Sequence, residues 1–191
     1  MSKIEITIDG KKVEAEEKSM IIEIADQVGI YIPRFCYHEK LSIAANCRMC
    51  LVEVDGVSKP LPACATPVTS EMVVKTSSKI AVEAQKGTME FLLINHPLDC
   101  PVCDQGGECP LQDQALGYGD GESRFEENKR AVKNLEIGPL IETEMTRCIH
   151  CTRCVRFGQE IAGEGEFGAA GRGEQMTITT FMGKSVDSEV S

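Results

Sequence analysis

Lys3-Ile4-Glu5-Ile6-Thr7-Ile8-Asp9-Gly10, followed by Lys11–Ala15, decides how the first third of the chain folds. Ile4, Ile6 and Ile8 alternate with Lys3, Glu5 and Thr7, which is the two-residue period of a half-buried strand. Asp9-Gly10 favours a two-residue primed turn, so Lys11–Ala15 is expected to return as the partner strand. Ser19 then offers an N-cap, Met20, Ile24 and Val28 recur at helical spacing, and Gly29 can close the helix. Leu51–Val54 reads as a further strand ending at Asp55-Gly56, and Met72–Val74 as another. Hairpin, helix, cysteine-bearing loop and more strands make a small α+β domain over residues 1–77.

A second unit is expected to begin at Ser77/Ser78. Ile80, Ala84, Phe91 and Leu92 give a helical face weakened by Gly87, and Asn95-His96-Pro97 stops it. Residues 98–125 are rich in Gly, Asp and Gln and read as a loop ordered by something other than an apolar core. Residues 126–147 are charged and connective. A turn or two of helix is expected between Cys148 and Ile161, and a strand at Met176–Phe181. This gives a loop-rich, mostly helical region, divided into 78–118 and 119–191.

Of 191 residues, 42% are apolar but only 5% aromatic and none is Trp, so the domains are expected to lean on staples as well as on cores. A net charge of −10 argues against a nucleic-acid partner, which would call for a basic face. No apolar run approaches the roughly 20 residues that cross a bilayer. Met1-Ser2-Lys3-Ile4-Glu5 resembles neither a secretory signal nor a transit peptide, so a cytosolic setting is expected. There, ten cysteines are expected to bind metal rather than pair as disulfides.

The cysteines fall into three groups. Cys36, Cys47, Cys50 and Cys64 are spaced C-x10-C-x2-C-x13-C, and the C-x2-C pair lets two thiolates grip from one tight turn. Four thiolates suit a [2Fe–2S] cluster or a zinc ion. The single C-x2-C knuckle, in a loop after an N-terminal hairpin, favours the cluster. His96, Cys100, Cys103 and Cys109 form H-x3-C-x2-C-x5-C, a donor set legitimate for zinc in isolation. Gly106-Gly107 within it would let backbone amides approach the sulfurs.

Cys148, Cys151 and Cys154 form the C-x2-C-x2-C run of bacterial [4Fe–4S] ferredoxins. Phe157-Gly158 stands where such proteins place the fourth, Cys-Pro, ligand. The fourth ligand is therefore expected beyond Ser191, with a three-iron or non-protein-capped cluster as the alternative. His38 and His150 read as bystanders; His150 could cap the third cluster only if it did not aim outward from its turn. Arg48, Arg147, Arg153 and Arg156 read as solvated charges, or as offsets to the negative charge of clusters and thiolates.

Pro33-Arg34-Phe35-Cys36-Tyr37-His38, Cys47-Arg48-Met49-Cys50-Leu51-Val52-Glu53-Val54 and the run from His96-Pro97-Leu98-Asp99-Cys100 to Gly106-Gly107-Glu108-Cys109 carry a family resemblance. So do Thr146-Arg147-Cys148-Ile149-His150-Cys151-Thr152-Arg153-Cys154 and Gly171-Arg172-Gly173. Together they resemble the N-terminal iron–sulfur region of the large iron–sulfur subunit (the 75 kDa subunit) of respiratory complex I, NADH:quinone oxidoreductase.

The resemblance implies a β-grasp ferredoxin-like domain with a [2Fe–2S] cluster on Cys36, Cys47, Cys50 and Cys64. It implies one [4Fe–4S] cluster on His96, Cys100, Cys103 and Cys109. A second would use Cys148, Cys151, Cys154 and a Cys roughly forty residues further on, so that the chain reads as a fragment. The implied activity is electron relay from the NADH/FMN-binding subunit towards peripheral-arm subunits leading to quinone. The implied location is peripheral, on the cytoplasmic face of a bacterial inner membrane. Diaphorase-side subunits of NAD-linked hydrogenases are the nearest alternative, and a structural zinc protein is the alternative of another class. No G-x-G-x-x-G follows a strand, so NAD binding is not expected on this chain, and no catalytic side chain is expected.

Overall fold

A computed structural model describes residues 3–186. Strands β1 (Lys3–Ile8) and β2 (Lys11–Glu16) form the expected hairpin, with Ile8 opposite Lys11. Asp9 and Gly10 both have positive φ, at 48° and 79°, which is the primed turn's requirement. The Asp9 carboxylate also accepts from the Thr76 N–H at 2.8 Å and from the Thr76 hydroxyl at 2.6 Å, tying the hairpin to the end of the domain.

Strands β3 (Leu51–Val54), β4 (Leu61–Pro62) and β5 (Val73–Lys75) complete a five-stranded sheet in the order β2-β1-β5-β3-β4. Strand β1 runs parallel to β5, and the other pairs are antiparallel. Helix α1 (Ile21–Gln27) covers one face, and its Ile21, Ile22 and Ile24 are buried with Ile6, Ile8, Val52 and Val74 in the main core. Gly29, at φ 72°, closes it as expected. Its N-cap is Met20 rather than Ser19: the Glu23 carboxylate accepts from the Met20 N–H at 2.8 Å. Ser19 is instead engaged through its carbonyl, which accepts from the Val68 N–H.

Helix α2 (Lys79–Ile94) is capped by Ser78, whose hydroxyl accepts from the Ala81 N–H at 3.2 Å. Its buried face is Ala81, Gln85 and Met89, whereas Ile80 and Phe91 are exposed. The sequence reading set the apolar stripe one residue off, because it weighted large side chains over the small and polar ones that fit against the sheet.

Helix α3 (Pro110–Tyr118) lies inside the segment expected to be loop. Proline at its first position is pre-organised to start a helix, and Leu111 and Gln114 are its buried residues. After 126–147, which holds only a short 3-10 turn at Met145–Arg147, come helix α4 (Arg153–Phe157) and a π-helical turn at Gly158–Ala162. The glycine-rich stretch hides strand β6 (Phe167–Ala170), which pairs with β7 (Thr177–Thr180), near the place expected for a strand. This last part has a core of three buried residues, Met145, Val155 and Ile178.

Candidate metal centres

The first cysteine group sits against the main core. Cys36, Cys50 and Cys64 are buried and Cys47 is partly so. Arg34 fixes the approach to Cys36: its guanidinium forks onto Asp26 at 2.5 and 2.6 Å and lies over the rings of Tyr31 and Tyr37. Between Cys36 and Cys50 the loop adopts left-handed backbone at Ala45 and Arg48, φ 52° and 61°, which is uncommon for residues with a Cβ and persists only where the surroundings enforce it.

That winding turns amides onto sulfur. The Cys36 N–H donates to Cys47 Sγ at 3.4 Å, and amides of Asn46 and Cys47 face Cys36. The thiols of Cys47 and Cys64 donate to Cys36 and hold it well below its ordinary value. Cys47 and Cys64 are pushed up, chiefly by those same bonds. Cys50 is pulled down to about 7, chiefly by a bond from Cys64. Four sulfurs this close in a buried site cannot all ionise unless something cationic sits among them.

In the second group, His96 follows the C-terminus of α2, Cys100 opens a 3-10 turn, and Cys109 caps α3. All four donors line one cavity of about 160 Å³, shared with Gly106, Leu111 and Gln112. A water molecule's share of liquid is about 30 Å³, so the space exceeds what one ion fills. The four donors wall that space. Burial pushes the His96 imidazole down, towards the neutral form that can ligate metal.

Gly106 is required here for space: a Cβ would lie 2.7 Å from the Cys100 carbonyl oxygen. Its N–H donates to the Cys103 carbonyl, and that of Gly107 to Gln112 Oε1.

In the third group, His150 and Thr152 have positive φ, at 55° and 60°, which coils the chain between its three cysteines. Cys148 and Cys154 line a largely apolar cavity of about 570 Å³, and burial pushes both thiols up. The His150 N–H donates to Cys148 Sγ at 3.4 Å. His150 is half-buried and lines a cavity with His96 and Cys148. His38, by contrast, is exposed.

The three groups meet. A small core of Phe35, Met49, Met89 and Leu111 has Cys47, Cys109 and Cys151 packed against it, one cysteine from each group. Polar cross-links join the same loops. Arg147 donates to Asp99 Oδ2 at 2.7 and 2.9 Å, linking the second and third groups. Arg156 and Asn46 link the first and third. Gln114 Nε2 donates to the Arg34 carbonyl at 2.8 Å, linking α3 to the first. Of these residues the sequence reading singled out only the arginines. Asp99 was findable as a carboxylate between two proposed ligands with an arginine beside a third. Gln114 and Asn46 carry no local signal.

All ten cysteines are free thiols. The donor chemistry, the amide-rich first site and the walled second cavity fit iron–sulfur groups. No helix among the described residues is long and apolar enough to cross a membrane.

Three family models match in succession. A 2Fe-2S iron-sulfur cluster binding domain matches residues 1–79. An NADH-ubiquinone oxidoreductase-G iron-sulfur binding region matches 85–124, and an NADH-quinone oxidoreductase subunit 3 ferredoxin-like domain matches 138–191. The NADH-ubiquinone oxidoreductase 78 kDa subunit, mitochondrial, of Neurospora crassa is 57% identical over 100% of this chain and 26% of that protein. The NADH-ubiquinone oxidoreductase 75 kDa subunit of Reclinomonas americana is 53% identical over 98% of this chain and 27% of that protein. An NADH-quinone oxidoreductase subunit of Rickettsia felis is 55% identical over 98% of this chain and 28% of that protein. The chain thus spans about a quarter of the length of these relatives.

Among solved structures, a chain of an NAD+-reducing [NiFe]-hydrogenase in the H2-reduced state superposes with a TM-score of 0.89 at 25% identity, covering 98% of this chain and 80% of that one. That match runs through the third cysteine group, so the fold of that region does not separate the two kinds of protein.

Proposed function

The chain is homologous along its whole length to a region of the 75–78 kDa subunit of NADH-ubiquinone oxidoreductase and of its bacterial NADH-quinone oxidoreductase counterpart, and we propose that it relays electrons between iron–sulfur centres in such a complex. Clusters, when bound, supply one-electron redox chemistry. The chain's own residues would hold them, bury them and fix their spacing. Cys36, Cys47, Cys50 and Cys64 would hold a [2Fe–2S] cluster, and His96, Cys100, Cys103 and Cys109 a [4Fe–4S] cluster. Cys148, Cys151 and Cys154 would hold three corners of a second [4Fe–4S] cluster. The corresponding units are 1–77, 78–118 and 119–191, a division supported by β5 ending at Lys75 and α3 ending at Tyr118.

One observation carries this reading: a cysteine of each group packs against the same four-residue core. Loops that served only as separate staples would have no reason to converge. Convergence is what short electron steps require, and no side chain need act as acid, base or nucleophile. The partners would be the NADH/FMN-binding subunit on the donor side and peripheral-arm subunits leading to quinone. Attachment to the cytoplasmic face of a bacterial inner membrane would come through the complex alone.

The hydrogenase chain of the same fold favours a second reading, in which the relay serves NAD+ reduction by hydrogen. Identity of 57% to the 78 kDa subunit, against 25% to the hydrogenase chain, favours the first.

Anaerobic purification with iron, acid-labile sulfide and zinc analysis tests the reading. Iron with sulfide in similar amount is expected, and stoichiometric zinc without sulfide overturns it. His96→Cys is expected to keep its cluster at an altered potential, and an unchanged potential and electron paramagnetic resonance (EPR) signal would remove His96 from the ligand set. Copurification with quinone-reactive subunits is expected; copurification with a hydrogenase selects the second reading.

A further inference from the structure

Arg156 is buried, on helix α4 two residues after Cys154. Its guanidinium donates to the Cys36 carbonyl at 2.5 Å, the Cys151 carbonyl at 3.2 Å and the Ser42 carbonyl at 2.7 Å. A fourth bond goes to the Thr152 hydroxyl at 3.3 Å. Every one of these acceptors is neutral. Among the described residues none of the ion pairs involves Arg156. The exposed Glu160 carboxylate feels the charge of Arg156 but gives its hydrogen bonds to the N–H and hydroxyl of Ser42 rather than to the guanidinium.

A guanidinium stays charged at any pH a protein meets. Burying it with no directly bonded carboxylate is expensive, and carbonyl dipoles with an exposed carboxylate nearby offset that only in part. Two backbone groups it holds belong to Cys36 and Cys151, residues of different cysteine groups. The thiolates of those groups, once ligating clusters, would add negative charge on the side of the guanidinium away from solvent-exposed Glu160.

We propose that Arg156 is a positioning residue shared by the first and third centres: it spans the gap between them and its charge makes both easier to reduce. This rests on the cluster reading above. The second group contributes none of its bonds, so the second centre feels its charge only at longer range. Arg153, three residues earlier on α4, donates instead to the Tyr37 carbonyl and serves the same contact without touching a cysteine backbone.

The test is an EPR-monitored redox titration of the anaerobically purified, cluster-loaded full-length protein as wild type, Arg156→Gln and Arg156→Lys, with iron and sulfide measured on each. In Arg156→Gln the reduction constants of the first and third centres are expected to fall about tenfold, a downward shift of ~59 mV for one electron. The potential of the His96 centre is expected to stay where it was. Arg156→Lys keeps the charge but loses the fork, so the same two centres shift in the same direction by less. An unshifted potential at either centre in a loaded variant overturns the proposal, and so does an equal shift at all three. Should Arg156→Gln fail to load, the Lys variant decides by the same criterion. Wild-type protein without sulfide overturns the cluster reading as well, which keeps the two failures apart.

Discussion

Residues 3–76 and residues 98–186 are held together by different physics. The first segment buries an aliphatic core in which Ile6, Ile8, Ile21, Ile22, Val52 and Val74 pack between the sheet and α1, with Cys50 and Cys64 among them. The second has a cluster of Met145, Val155 and Ile178, with Leu111 reaching into the small core shared by the three cysteine groups, and otherwise mostly turns, short helices and polar cross-links. Burial of apolar surface at about 25 cal/mol per Å² is ample for the first and meagre for the second. The lesson is that the same donor type plays two parts. In the sheet domain the cysteines join a large apolar core, and in the remainder the ligand groups stand where a core would.

Removing the metal is expected to break the molecule along that line, with the largest effect of any perturbation. Hydrogen exchange on protein stripped of iron should show residues 99–110 and 145–162 exchanging like frayed loops, while β1 and β5 stay protected. Equal loss of protection in both regions would show that the first cluster also holds the sheet. Core truncation reverses the ranking. Ile22→Ala should cost about 4 kcal/mol in urea unfolding of the sheet domain, whereas Ile178→Ala should cost about 2 kcal/mol, because the thinner core can collapse around the gap. Equal costs would contradict the contrast.

What the sequence makes legible follows the same division. The hairpin was readable because a period of two and an Asp-Gly turn are local signals of one structure, and β1, β2 and the turn dihedrals match them. The ligand groups were readable because spacing in sequence restrains spacing in space within each turn. Helix α3 was missed because the Gly and Asp content of 98–125 outweighed Pro110 as a helix start. The buried face of α2 was misplaced because Gln85, a polar residue, occupies its centre. The meeting of the three groups was illegible for a deeper reason. It depends on Phe35, Met49, Met89 and Leu111, which are distant in the chain and ordinary in kind.

Gln85 offers a finer cut between the regions, since it joins α2 to the sheet domain. Its side-chain amide donates to the Leu51 carbonyl at 3.1 Å and the Thr76 carbonyl at 3.3 Å. Gln85→Leu keeps the volume but leaves two buried acceptors without that donor, an expected cost of about 1–2 kcal/mol. Unfolding monitored on α2 and on the sheet should fall together. If only α2 loosens, the helix belongs with the second region.

The smallest expected effect lies at the opposite seam, where the Glu160 carboxylate accepts from the Ser42 N–H at 2.7 Å and from the Ser42 hydroxyl. Those bonds hold the Glu160 carboxyl below the ordinary glutamate value of about 4.3. A depressed value means that the bonded, charged form persists as acid is added: the contribution is complete above the unfolded value and fades only as the pH falls through the lower, folded one. Between pH 7 and about 5, where iron–sulfur proteins can be handled, the contact should therefore not titrate. Glu160→Gln should reduce protection of the Ser42 amide a few-fold, with the same ratio to wild type at both ends of that range. A ratio that shrinks towards the acid end would mean that wild-type Glu160 is already taking up its proton there. The seam would then be held by Arg156, Arg153 and Asn46, and the second region would depend on fewer polar ties.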